Sequence, residues 1–131
     1  MPEDALVGKI LVALRQQLKR PYFAKRGAAL LYQVTVNNSL AVTVDPKAPA
    51  RGHAAFQTDL CIFHSRRNGV VLPRVVLEFK SSLTTHDVLT YSTKARRHKQ
   101  VYPYLRYGVV SSRERGVPRR VFIHSRGLDF C

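Results

Sequence analysis

The chain has 131 residues, 45% of them hydrophobic, and a formal net charge of +14 from 22 Lys and Arg against 8 Asp and Glu. That length suits one domain with a real core, and no apolar run approaches the ~20 residues that a membrane-spanning helix requires. The charge points to nucleic acid as partner ahead of an anionic membrane surface, because no segment is dominated by a basic face opposite a bulky apolar one.

The start, Met1-Pro2-Glu3-Asp4, is acidic and does not read as a signal peptide. Two cysteines, Cys61 and Cys131, make no disulfide framework, so a reducing cytoplasm is the expected setting. The spacing of Leu6, Ile10, Leu11, Leu14 and Leu18 predicts a helix over 4–19. Glu3 and Asp4 at its start and Lys19 and Arg20 at its end complement the helix dipole, and Pro21 stops it. Tyr22–Gly27 reads as a basic link whose two aromatics and two cations suit either a nucleic-acid contact or a hydrophobic anchor. Residues 28–36 and 39–45 are rich in β-branched side chains and predict two strands joined by a tight turn at Asn37-Asn38. Asp45, followed by Pro46, closes a strand in this reading, and Pro46–His53 is a loop with Arg51 available for phosphate.

Residues 56–63 and 70–80 predict a hairpin, turned by 64–69 with its Asn68-Gly69 signal; Pro73 suggests a bulge or an unpaired edge. Val75, Leu77 and Phe79 alternate with Val76, Glu78 and Lys80, so Glu78 and Lys80 share a face about 7 Å apart. A carboxylate and an ammonium on so apolar a strand are costly unless they meet a partner, a metal or a substrate. Asp59 in the preceding strand supplies a second carboxylate. Two carboxylates can hold a divalent metal while a lysine positions or deprotonates a water, the constellation of phosphodiester cleavage. The competing reading is a solvated edge strand. No Cys/His cluster exists, and His53 and His64 lack zinc spacing.

The order Asp59, then Glu78-Phe79-Lys80, resembles the (P)D…(D/E)-x-K signature of the restriction-endonuclease-like nuclease superfamily, with Thr58 where the family usually has Pro. The resemblance covers most of the chain through its element order. It implies an α/β fold with an αβββαβ core, a mixed central sheet flanked by helices. It also implies a first-helix acid as an extra metal ligand, which makes Glu3 or Asp4 a candidate beside plain helix-end charge complementarity.

Residues 85–102 predict the second helix, capped by Thr84 or Thr85. Val88, Tyr91, Ala95, His98, Val101 and Tyr102 form its seam against the sheet, and Lys94, Arg96, Arg97 and Lys99 make its most basic turn. Pro103 ends it. Gln100 and Tyr104 resemble the Gln-x-x-x-Tyr element of some nuclease branches, on the side away from the seam. Tyr107–Ser112 and Arg119–His124 predict two further strands, with Arg113–Pro118 as their turn. Ser125–Cys131 looks like the start of another element cut short.

The resemblance implies a magnesium-dependent DNA endonuclease, with manganese expected to substitute. Asp59 and Glu78 would ligate the metal with the Phe79 carbonyl, Lys80 would orient the attacking water, and Arg96, Arg97 and Lys99 would meet the DNA, double-stranded or branched. In size, charge and an expected homodimer the chain resembles Holliday-junction resolvases, and small restriction-type or recombination and transposition nucleases about as well. The alternatives are a non-catalytic nucleic-acid-binding module and an RNA- or ribosome-associated basic protein.

Overall fold

A computed structural model describes residues 2–113 and 116–131. The first helix, α1, spans Glu3–Gln17, and its apolar stripe buries Val7 and Leu11. The chain then forms β1 (Tyr22–Arg26) where the sequence suggested a link. Only Ala24 of this strand is buried, so its edge position and outward charges hide the alternation that would have announced it.

Beyond β1 the expected pair of strands at 28–36 and 39–45 shrinks to β2 (Ala29–Leu31), followed by an isolated bridge between Val36 and Val42. The Asn37 side chain does turn the chain, its Oδ1 accepting from the amides of Ser39 at 2.9 Å and Ala41 at 3.1 Å. Yet among the described residues no third strand lies beside these, and Val34, Val36, Leu40 and Val42 stay exposed. β-Branched residues favour a pleated surface only where neighbours exist to pack on.

The expected strand 56–63 is broken in two, β3 (Ala55–Gln57) and β4 (Leu60–Ser65), with Thr58 and Asp59 between them. The same break divides the segment they pair with: β1 pairs antiparallel with β4, and β2 with β3. Next comes β5 (Val71–Lys80), paired antiparallel with β4. Its register shifts so that Ile62 faces Val75 but Phe63 faces Pro73, the bulge that Pro73 suggested. The second helix, α2 (Thr85–Val101), begins in a capping box between Thr84 and Asp87. It carries the chain across to β6 (Arg106–Ser111), parallel to β5. The four-stranded sheet runs β1-β4-β5-β6.

Arg119–His124, read as a strand, is a short helix, α3, after Pro118. The β6 edge such a strand would need carries the tail instead. The amide of Val109 donates to Phe130 O, that of Asp129 to Tyr107 O, and Gly108 bridges Phe130. A β-carbon on Gly108 would fall 2.1 Å from the Phe130 ring. Glu114 and Arg115, in the expected turn, lie outside the described residues.

The two faces of the sheet have separate cores. On one, α1 packs on Ala24, Leu60 and Phe79. On the other, Ala95 and Tyr102 of the α2 end pack with Cys61, Phe63, Val76 and Tyr107. That second face also carries Glu78, flanked by Val76 on the same side of β5. Leu31 is gripped there at both backbone groups. Its amide donates to the Tyr102 hydroxyl at 3.2 Å, and its carbonyl accepts from His98 Nδ1 at 2.8 Å. A carbonyl only accepts, so Nδ1 carries the proton. Burial keeps the His98 ring below its usual pKa, hence neutral. Among the described residues no helix is long and apolar enough to cross a membrane.

Tyr102→Phe should leave the Leu31 amide buried without an acceptor. The expected loss of unfolding free energy is about 1–3 kcal/mol, read from urea denaturation.

Candidate active site and its cationic cleft

Asp59 sits at the break between β3 and β4, one step beyond the Leu60–Leu77 pair, and so faces Glu78 across the sheet. Its Oδ2 accepts from the Phe79 amide at 2.8 Å. Glu78 is only 4% exposed. Its Oε1 accepts from the Tyr107 hydroxyl at 2.7 Å. Burial is the largest influence on Glu78 and pushes its carboxyl up to about 8. The Tyr107 hydrogen bond opposes that rise, Asp59 adds to it by charge and by hydrogen bonding, and the charge of Lys94 on α2 pulls back. The two carboxylates predicted from sequence therefore meet, and they repel.

Lys80 is differently engaged. It lies on the Glu78 face of β5, 39% exposed, with Nζ 3.9 Å from Asp87 Oδ1. Asp87 also accepts from the Thr84 amide at 2.9 Å. Burial raises the Asp87 carboxyl, but the Thr84 bonds and the Lys80 charge outweigh it and hold the group below its usual range. Glu3 reaches the same end of β5, where Oε2 accepts from Ser81 Oγ at 3.2 Å. Its neighbour Asp4 instead pairs with Arg26. The Tyr91 hydroxyl, on α2, is raised first by burial and then by the charges of Glu78, Asp59, Asp87 and Glu3. Half of the chain's eight acids thus gather around one end of the sheet in a protein of net charge +14.

The donor set is hard oxygen, which suits magnesium or manganese. A divalent cation would offset the burial and, with it, the Asp59 charge that together raise the Glu78 carboxyl. Among the described residues no three His, Cys, Asp or Glu side chains come together as a complete metal cage. Magnesium usually keeps several waters and takes one or two carboxylates, so the pair Asp59–Glu78 is a chemically sufficient protein contribution.

A cleft of about 430 Å³ opens beside Asp59, lined also by Arg26, Arg51, Phe56 and Lys94. Three cations thus border one carboxylate there, Arg26 among them already paired with Asp4. Of the cations singled out from sequence, Arg51 lines this cleft, whereas Arg96, Arg97 and Lys99 do not. Arg96 donates from Nε to Arg126 O at 3.1 Å, and Lys99 bonds Gly127 O at 2.8 Å and pairs with Asp129 at 2.6 Å. They hold the tail to α2. Arg97 lies over the Tyr32 ring, 4.2 Å from its centroid. Gln100 is exposed at the last turn of α2. Tyr104 is 41% exposed with Arg74 over its ring. Arg74 is four residues from Glu78 along β5, about 13 Å away, so Tyr104 belongs to the opposite end of the sheet.

No protein-family model matches the sequence, and no curated protein matches it. Lys94, Tyr91, Tyr107, Arg26 and Arg51 emerge from the structure as neighbours of the carboxylates. A signal for Lys94 and Tyr91 was present: three residues apart, they share a helix face with Val88 and Ala95. Tyr107 and Arg26 are brought in by strand pairing, which no local pattern encodes, while Arg51 is the cation that the loop 46–53 already offers for phosphate.

Glu78 gives a signed pH prediction. Its folded pKa of about 8 exceeds the ordinary 4.5, so its contribution to stability is full below 4.5 and is lost as pH rises through about 8. Metal needs the carboxylate, so magnesium binding at pH 7 should release about one proton. Apparent affinity should climb about tenfold per pH unit up to about 8 and then level off. Calorimetry in buffers of different ionisation enthalpy measures this; Glu78→Gln should fold and release none.

Proposed function

We propose that the chain is a magnesium-dependent DNA endonuclease of the restriction-endonuclease-like kind. The observation that carries this reading is the contact of Asp59 and Glu78 at the rim of a cleft lined by Arg26, Arg51 and Lys94. Further support comes from the element order, in which α1, three antiparallel strands, α2 and a parallel fourth strand form the sheet and its flanks. Asp59 and Glu78 would hold the metal, with the Phe79 carbonyl as the backbone donor the resemblance implies. When bound, magnesium would stabilise charge developing on the scissile phosphate. Arg26, Arg51 and Lys94 would bind the phosphate and its neighbours and fix their orientation. Lys80, released from Asp87, would orient the attacking water and offset charge at phosphorus. Tyr107 holds Glu78 in place through its hydroxyl.

The second reading, a DNA-binding module without catalysis, draws on the engagement of Lys80 with Asp87 and on a Glu78 that is protonated at neutral pH. Cleavage of plasmid and branched DNA in magnesium and manganese separates the two. Asp59→Ala and Glu78→Ala should abolish cleavage and metal binding. Lys80→Ala should bind metal yet cut about a hundredfold or more slower, ~2.7 kcal/mol of transition-state stabilisation. The triple variant should be little worse than the worst single one. Wild-type cleavage by folded Glu78→Ala protein would overturn the assignment.

The cleft makes a separate prediction about affinity. Removing both Arg51 and Lys94 should reduce the dependence of log K on log[salt] by about 0.9 for each phosphate that is no longer neutralised. The pair Arg96→Ala and Lys99→Ala, whose side chains hold the tail, should change that slope less. Equal slopes for the Arg51/Lys94 variant and wild type, in fluorescence titrations across a salt series, would place the DNA elsewhere.

A further inference from the structure

A second cleft, about 350 Å³, adjoins the first, and Phe56 and Lys94 line both. Its other walls come from one side of α2, including Leu89, Thr90, Thr93 and Arg97. Its volume lies in the range of small-ligand pockets, about 300–1,000 Å³. Phe56 stacks on Tyr32 with ring centroids 4.2 Å apart. Lys94 stands over the Phe56 ring at 5.5 Å, and Arg97 lies over both rings, 4.2 Å from Tyr32 and 5.8 Å from Phe56. Leu89 is 48% exposed at the cleft, a large apolar side chain open to solvent on a basic helix.

This alternation has a chemical counterpart. A nucleic-acid strand presents a phosphate, then a flat apolar base to one side, then the next phosphate. The first cleft offers cations and the Asp59 carboxylate, and the second offers an aromatic ring, a leucine and the hydroxyl-bearing Thr90 and Thr93. Bases stack on aromatic rings and on guanidinium planes with little regard to sequence. A base inside a duplex is covered on both faces and cannot enter a lateral cleft, so the strand must be unpaired there.

We propose that the second cleft receives an unpaired nucleobase of the DNA strand whose phosphate lies at Asp59. This rests on the DNA reading of the first cleft. It makes the substrate a single-stranded segment, or the open strand of a flap or branch, in preference to continuous duplex.

The test is binding without divalent metal, so that it does not depend on cleavage. Three fluorescent probes of equal length are titrated in EDTA: a single-stranded oligothymidine, a strand with the same phosphates but only abasic residues, and a duplex. Wild-type protein should bind oligothymidine about tenfold more tightly than the abasic strand at matched salt, the effect of a base stacked on a side chain. The duplex, with more phosphates per length, should lack that base-dependent gain. Phe56→Leu keeps the apolar volume but removes the ring, and should bring the ratio of base-bearing to abasic affinity near one while abasic affinity persists. Leu89→Ala, on an exposed side chain that leaves the ring pair intact, should lower the ratio about two- to fourfold, and decides the matter if Phe56→Leu fails to fold. Equal wild-type affinity for oligothymidine and the abasic strand overturns the proposal, as does a full ratio in both variants. A wild-type ratio near ten in a protein that cuts no DNA would sustain this base site while removing the nuclease reading.

Discussion

The carbonyl of Ala28 accepts two hydrogen bonds from Thr58, one from its amide and one from its hydroxyl, each at 2.8 Å. Thr58 is 2% exposed, so neither bond has competition from solvent. This double grip lies where the long antiparallel ladder leaves the main sheet and continues as the β2–β3 arm. On the opposite segment of the ladder the same point is Gly27, whose φ of +70° an L side chain would resist. Its amide donates to Asp59 O at 3.2 Å, completing the junction. The bend comes just before β4, at Asp59, which keeps the alternation of β4, so its carboxylate faces Glu78. It also swings the arm against α2, where His98 and Tyr102 seize Leu31. The first cleft is lined by this junction, through Gly27, Thr58 and Asp59, so one pivot sets Asp59 and the cationic walls beside it.

The arrangement concentrates electrostatic stress. Glu78 is buried beside another carboxylate, which is costly, and the fold tolerates it by protonation and by the Tyr107 hydroxyl. Tyr107 is itself fully buried and stacked against His98, so the hydroxyl cannot swing away to water. A structural carboxyl needing only a neutral hydrogen bond would be served as well by Gln. An acid next to Asp59 would suit the uptake of a cation, as the proposed function requires.

The strands with strong apolar alternation were legible, as were both long helices and the bulge at Pro73. Their signals are local: a stripe at helical spacing in α1, Thr84 and Asp87 at the start of α2, Val76 to Lys80 in β5. The errors share one cause, the dependence of β structure on what lies alongside. Tyr22–Arg26 is a strand because β4 offers it an edge, with Phe23 stacked on Phe63. Val34 to Val44 has strand composition but, among the described residues, pairs only through the isolated Val36–Val42 bridge. Arg119–His124 has it too, but Asp129 and Phe130 occupy the β6 edge, and Phe122 is left 74% exposed on a helix. In the candidate site, Asp59 and Glu78 were legible because antiparallel pairing across one hairpin is almost a local property. Lys94, Arg26 and Arg51 come from three separate segments, and their convergence depends on the bend at Thr58.

Asp87 ties the position of α2 to the lysine of the site. One of its oxygens accepts from the Thr84 amide and so belongs to the helix cap, while the other faces Lys80. The capping role fixes where the carboxylate sits and therefore where Lys80 finds its counter-charge. At 3.9 Å and 39% exposure this contact is a weak one, well outside hydrogen-bonding distance. A phosphate with a bound metal at Asp59 and Glu78 would change the balance of charge that Lys80 feels, and little stability would be lost in leaving Asp87. The cap itself would survive the exchange, because the Thr84 bonds do not involve Lys80. The lysine is thus held near the carboxylates by a partner that does not bind it tightly, on a helix end that need not move.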